Sequence, residues 1–487
     1  MTQFPSNQID APPQTFELAR LSAVDLIAGY RAGKFTPVEV IDDVINALKA
    51  TDELCNVVVT DMYEMARQDA ERAASALARG EAVGPLTGVP VTIKDLLFVE
   101  GVGAHAGAPT MADFVPDQDS AAVTALKAAG AVLTCKTTTC ESGYKLTADS
   151  PLSGVTRNPW RLSRTSGGSS GGAAAAVAAG CGPLAIGTDA VGSIRVPSSF
   201  CGVFGLKPTF GLVPRSPSFF PPSWGSLAHT GPIGRTVADV ALLLEVVAGY
   251  DSRDAVSLPV EKRRFDTSAA SLEPLKIAVS PDFGFAAVTP VVHEALGAVT
   301  HVLADLGADI VAMQPALGTR LLEEVLQPIG FTEQAAAVMY REPAELAVSE
   351  PEFQEVVAKG RAVRGIDYVE ALHKRARLRG RFLEIFKSVD AIITPAVAVT
   401  AFEAGTIGVD MIDGQPVDRH LGWSPFSWPV NLAGLPAATV PCGFDADGLP
   451  IGFQIIAPWL EEKTIFRIAA AFERARPWAG RWPPFEP

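Results

Sequence analysis

Two short runs of glycine and small residues constrain this chain more than any other feature in it: Gly167-Gly168-Ser169-Ser170-Gly171-Gly172 and Gly187-Thr188-Asp189-Ala190-Val191-Gly192-Ser193-Ile194-Arg195. Glycine carries no Cβ, so such runs turn through backbone conformations closed to other residues and bring N–H groups close to a neighbouring group. Directly after the first run, Ala173 to Ala179 contains only alanine and one valine. A helix of that composition has no polar face and must be packed all round. A third run, Val91-Thr92-Ile93-Lys94-Asp95, puts a lysine at the end of an apolar strand. Desolvation disfavours the ammonium form, so a lysine held there can shed its charge and serve as a base. Serines among closely approaching backbone donors, with a neutral lysine in reach, suit acyl transfer without histidine.

The flanking pattern gives the layers. Thr36-Pro37-Val38-Glu39 offers an N-cap, a proline in the first turn and a capping-box glutamate for a helix to about Ala50. Val89 to Ile93 reads as a buried strand, Ser120 to Ala129 as a helix stopped by Gly130, and Ala131 to Thr134 as the next strand. Strands are also expected at Lys276–Val279, Ala391–Ile393 and Ile451–Ile456, with helices at Pro290–Leu306, Asp367–Ile385 and Glu461–Arg474. This alternation predicts an α/β fold: a mixed, twisted central sheet with helices on both faces. The 487 residues are read as one domain, with N-terminal helices at about 15–70, a core at about 71–250 and a C-terminal part at about 274–475. Ser252 to Glu273 is charged and irregular and reads as a surface crossover.

Composition excludes several function classes. A net charge of −14 opposes general attraction to nucleic acid or anionic membranes. No run approaches the ~18 apolar residues of a membrane helix, and Met1 to Glu17 lacks the basic-then-apolar order of a secretory signal. A cytoplasmic enzyme is expected. The six cysteines show no CxxC and no framework spacing, and no cluster of acidic residues and histidines suggests a metal; neither metal nor cofactor is expected. The glycine runs lack the G-K-[ST] ending of a phosphate-binding loop.

The segment from Thr165 to Thr209, ending Phe200-Cys201-Gly202-Val203-Phe204-Gly205-Leu206-Lys207-Pro208-Thr209, resembles the amidase signature family. So do Pro90-Val91-Thr92-Ile93-Lys94-Asp95, the segment Lys136-Thr137-Thr138-Thr139-Cys140-Glu141 (with Thr138 where asparagine is usual), and Gly434-Leu435-Pro436 through Gly452-Phe453-Gln454. These motifs keep the family's order across roughly residues 20 to 475.

The resemblance implies Ser193 as nucleophile, Ser169 as relay and Lys94 as base, with a cis bond between Gly168 and Ser169. It implies an oxyanion hole from the backbone N–H groups of Ala190, Val191, Gly192 and Ser193, although Val191 stands where glycine is usual. Asp189 and Arg195 are read as braces around the turn. Gly168-Ser169-Ser170-Gly171-Gly172 also satisfies G-x-S-x-G with Ser170 at its centre, but no apolar strand precedes it as a nucleophile elbow requires. Arg215 to Trp224, rich in proline and aromatics, is either a rigid surface loop or an apolar wall of the substrate site formed by Phe219, Phe220 and Trp224.

The implied function is hydrolysis of a C–N bond in a small-molecule amide or carbamate, with bulky apolar or aryl groups favoured by that loop. The expected partners are the substrate and at most a second copy of the chain. Two alternatives stay open. One is the ammonia-releasing A component of a glutamyl-tRNA amidotransferase, working with a partner protein. The other is an inactive binding member of the fold.

Overall fold

A computed structural model of the chain describes residues 16–219, 226–261, 263–315, 317–318 and 320–485. Its centre is an 11-stranded sheet. In chain order the strands are β1 (Val58–Asp61), β2 (Pro90–Lys94), β3 (Val132–Thr137), β4 (Leu184–Asp189), β5 (Phe204–Lys207), β6 (His229–Gly234), β7 (Lys276–Val279), β8 (Asp309–Ala312), β9 (Ala391–Pro395), β10 (Ala437–Phe444) and β11 (Pro450–Ile456). Their spatial order is β1-β3-β2-β4-β6-β5-β10-β11-β9-β7-β8. The trio β3-β2-β4 is parallel, as is β9-β7-β8, and antiparallel pairs join them. The mixed α/β sheet expected from the sequence is present.

Alternation along β4 shows how the sheet is covered. Leu184 and Ile186 enter an apolar cluster with Val240 and Leu244 of helix Val237–Val247. Ala185 joins a second cluster with the alanine-rich helix Gly171–Ala179, every residue of which is buried. Successive strand residues face opposite sides, so helices cover both faces. The N-terminal helix Pro37–Cys55 has the expected capping box, with Thr36 accepting from the Glu39 N–H and Glu39 accepting from the Thr36 N–H.

Most expected elements lie within a residue or two of their observed bounds, including Lys276–Val279, Pro290–Asp305 and Gly365–Ile385. β3 runs on to Thr137, three residues beyond its expected end, because parallel pairing to β2 continues to Lys94. Residues 252–273 form no helix or strand among those described. No helix among the described residues is long and apolar enough to cross a membrane.

Candidate active site

The centre of the sheet delivers three side chains to one place. β2 lies between β3 and β4, and its five residues are all buried, so Lys94 reaches its carboxyl end without meeting solvent. Carboxyl ends of neighbouring parallel strands are where open α/β sheets form ligand crevices. Ser169 lies just before helix Gly171–Ala179, and Ser193 lies in the turn between β4 and helix Arg195–Cys201. The Ser170 N–H donates to the Ser193 carbonyl at 3.1 Å, tying the two glycine runs together.

Lys94 Nζ lies 2.6 Å from Ser169 Oγ, 2.9 Å from Ser170 Oγ and 2.9 Å from Thr188 Oγ1. All three partners are neutral. Burial without a paired carboxylate pushes the ammonium down to about 7 from its ordinary 10.5; Cys140 and Asp189 pull weakly the other way. The Ser193 hydroxyl is buried and makes no hydrogen bond among the described residues. Ser169, Thr188 and Ser193 line one cavity of about 150 Å³. Gly168–Ser169 is a cis peptide bond. At Gly168 a side chain would strike the Thr147 backbone, the close approach that this run allows.

A second network fixes the turn that carries Ser193. Asp189 accepts from the backbone N–H groups of Gly192 at 2.8 Å and Ile194 at 3.1 Å, and from Arg195 Nε at 2.9 Å and Nη2 at 3.0 Å. Burial alone would raise this carboxyl, but Arg195 beside it holds it well below the usual carboxylate range. Arg195 also donates to Gln454 Oε1 at 2.6 Å and to the Ser427 carbonyl at 2.9 Å, and Asn431 Nδ2 donates to Asp189 Oδ1 at 2.8 Å. Asp189 and Arg195 therefore brace the turn.

One of the four donors expected for an oxyanion hole departs from that role. The Gly192 N–H points at Asp189 Oδ1, and the Ile194 N–H donates to Oδ2 of the same carboxylate. The N–H groups of Ala190, Val191 and Ser193 have no acceptor among the described residues. Gly192 sits at φ 136°, and a side chain there would press on Ser427 Oγ. Val191 has no positive φ, so a valine fits where glycine is usual, and Ser427 Oγ holds its carbonyl at 2.5 Å.

The aromatic loop divides differently from expectation. Phe219 packs edge-on against Phe98, with ring centroids 4.8 Å apart, and 5.4 Å from Phe114; it is not on the cavity wall. Phe220 and Trp224 lie outside the described residues. Arg215 and Ser218 of that loop, and Leu227 just after it, do line the cavity. Its opposite wall comes from Leu326, Phe331 and Gln334 at helix Gln327–Ala337, with Leu96, Tyr144 and Val356 around it. Sequence reasoning missed this wall, since nothing in a half-apolar helix more than a hundred residues from Ser193 marks which neighbour it will cover. Thr188 and Ser170 were inside the glycine runs, and only their contacts with Lys94 distinguish them. Asn431 and Ser427 had no signal.

The family description Amidase matches residues 39–466. The chain belongs to the amidase signature family. It is an amidase-type hydrolase, an enzyme of the class that cleaves C–N bonds other than peptide bonds. It is 34% identical over 471 residues to an acylamidase of Rhodococcus erythropolis, covering 95% of this chain and 97% of that one. It is 36% identical over 478 residues to the A component of the glutamyl-tRNA(Gln) amidotransferase of Synechococcus sp. (strain CC9605), covering 91% and 94%. A bacterial aryl acylamidase structure superposes with a TM-score of 0.88 at 28% identity, covering 94% of this chain and 97% of that one.

Proposed function

We propose that this enzyme hydrolyses amides or carbamates bearing bulky apolar or aryl groups, through an acyl- or carbamoyl-enzyme on Ser193. The observation that carries the reading is a buried lysine with only neutral partners, 2.6 Å from Ser169, in a cavity shared with the unpartnered Ser193 hydroxyl.

In the first step Ser193 Oγ forms a bond to the carbonyl carbon, and its proton passes through Ser169 to neutral Lys94. The carbonyl oxygen becomes an oxyanion, received by the N–H groups of Ala190, Val191 and Ser193. As the C–N bond breaks, the proton held by Lys94 returns through Ser169 to the departing nitrogen. Water then attacks the acyl-enzyme, giving its proton along the same path, and Ser193 leaves with that proton. Asp189 and Arg195 touch no reacting atom in this scheme; they hold the turn.

The largely apolar cavity wall, with Leu96, Leu326 and Phe331, supports a bulky apolar group, as does likeness to acylamidases. A second reading, ammonia release from glutamine, follows from likeness to the A components of glutamyl-tRNA amidotransferases. A panel of p-nitroanilides, aryl carbamates, primary amides, esters and glutamine separates the two. Ser193-dependent cleavage of anilides or carbamates is the expected outcome; ammonia from glutamine alone would overturn it.

A further inference from the structure

The cavity beside Ser193 is largely apolar, yet besides the Ser193 hydroxyl two of its polar atoms lack a partner among the described residues: Thr230 Oγ1 and Gln334 Oε1. Thr230 is 1% exposed, so it finds no replacement partner in bulk solvent. An unpaired hydroxyl there destabilises the protein unless something else satisfies it.

The sheet fixes where the Thr230 side chain lies. Thr230 of β6 is directly opposite Thr188 of β4 in antiparallel register. Opposed residues in such a pair share a face, with Cβ atoms about 5 Å apart. Thr188 Oγ1 is itself 2.9 Å from Lys94 Nζ. The Thr230 hydroxyl is therefore set two strands over from Lys94, with Thr188 between them, on the cavity wall, while Gln334 approaches from helix Gln327–Ala337.

The charged groups on the wall favour a neutral occupant. Glu333 already accepts from the Ser226 hydroxyl at 2.6 Å and its N–H at 3.3 Å. Arg215 lies within the field of Glu333 and of Asp254, so opposite charges offset one another. What is left over is the Thr230 hydroxyl, able to donate to a C=O, and the Gln334 carboxamide oxygen, able to accept from an N–H. A secondary amide presents one N–H and one C=O, the complementary set.

We propose that the substrate carries, besides the bond that is cleaved, a second neutral amide-type group, and that Thr230 and Gln334 are the residues that recognise it. The inference rests on the hydrolase reading above and narrows its substrate class. A site built to hydrogen-bond a polar group discriminates strongly against the analogue that lacks it, because its own groups are then left unpaired.

Two matched substrate pairs provide the test. In one the second amide lies in the acyl half, in the other in the amine half, and each is compared with an analogue having methylenes in its place. The ratio of kcat/KM within a pair should favour the amide member by about tenfold or more in one of the pairs. Thr230→Val should collapse that ratio toward one, Thr230→Ser should retain it, and Gln334→Leu should reduce it. No preference in either pair, or a ratio that Thr230→Val leaves intact, overturns the inference. Kd values measured on the Ser193→Ala protein separate this from the parent reading. If wild type cleaves neither member while Ser193→Ala still binds the amide member more tightly in a Thr230-dependent way, the proposed reaction fails and the recognition site stands.

Discussion

Lys94 and Lys136 stand on adjacent parallel strands, both fully removed from solvent, and they are used in opposite ways. Lys136 Nζ meets Asp95 Oδ1 at 2.8 Å, a buried ion pair. Lys94 meets three hydroxyls and no carboxylate. Asp95 follows Lys94 directly in the chain, yet its carboxylate is committed to Lys136 and to the His105 N–H at 3.0 Å. A buried charge must be paired or give up its charge. The Lys136 region takes the first course and is a fastening between strands; the Lys94 region takes the second, as the proposed base requires. Arg195, paired with Asp189 in the Ser193 turn, follows Lys136.

The sharpest way to break this comparison is to remove each member of the Lys94 set. Ser193→Ala, Ser169→Ala and Lys94→Met should each lower kcat by about 10³-fold or more, and non-additively, since they move one proton as a unit. Double variants no worse than singles are expected; additive losses would separate Lys94 from the serines. Ser170→Ala should be much milder, because Ser170 braces Lys94 and Thr188 but is not on the cavity wall.

Lys136→Met should act on stability instead. It leaves the Asp95 carboxylate buried without its cation, which typically costs about 3–5 kcal/mol, read as a lower midpoint in denaturant unfolding. Lys94→Met, by contrast, removes a group with no carboxylate in contact among the described residues, whose loss of charge on burial costs stability below its ordinary 10.5, so at pH 7 the midpoint should stay at or above wild type. Equal losses in the two variants would refute the division of roles.

The pH dependence sharpens it further. Lys94 is pushed down to about 7, and in the proposed mechanism only its neutral form accepts the Ser193 proton. Below about 7, kcat/KM should therefore fall by about tenfold per pH unit, and it should level off above. An unfolded lysine keeps its proton up to the ordinary 10.5. The Lys94 contribution thus makes the fold more stable as pH rises between the two values, and Lys94→Met should remove that slope. No histidine substitution should abolish the activity limb.

The smallest effect concerns the cavity wall. Phe331→Ala should weaken kcat/KM for aryl substrates by about tenfold, in line with about 1–3 kcal/mol for a lost pocket contact, and small aliphatic amides less. Phe219→Ala, in the cluster with Phe98 and Phe114, should affect both substrate classes alike.

The local signals that were strong in the sequence were those with a local cause. The capping box at Thr36 and Glu39, the all-apolar helix after Gly172 and the strand that ends at Lys94 depend on neighbours a few residues away. They were legible for that reason. Arg195 and Asp189 could be read as braces because both lie within one turn. By itself the sequence also determined the family, since its motifs keep their order over nearly the whole chain.

The tertiary structure decided the rest, where the cause is a contact between distant segments. Whether the Gly192 N–H is available depends on where the Asp189 carboxylate points, and Asn431 and Arg195 settle that together. Phe219 went to an aromatic cluster rather than the cavity because Phe98 and Phe114 offer it a packed site. Phe331 and Gln334 reach the cavity only because helix Gln327–Ala337, packed against helices Pro351–Ala362 and Gly365–Ile385, lies at its wall. A lysine's neighbours in the chain say that it will be buried; only the folded sheet says whether a carboxylate will be buried with it, and that difference makes Lys136 a fastening and fits Lys94 to the role proposed for it.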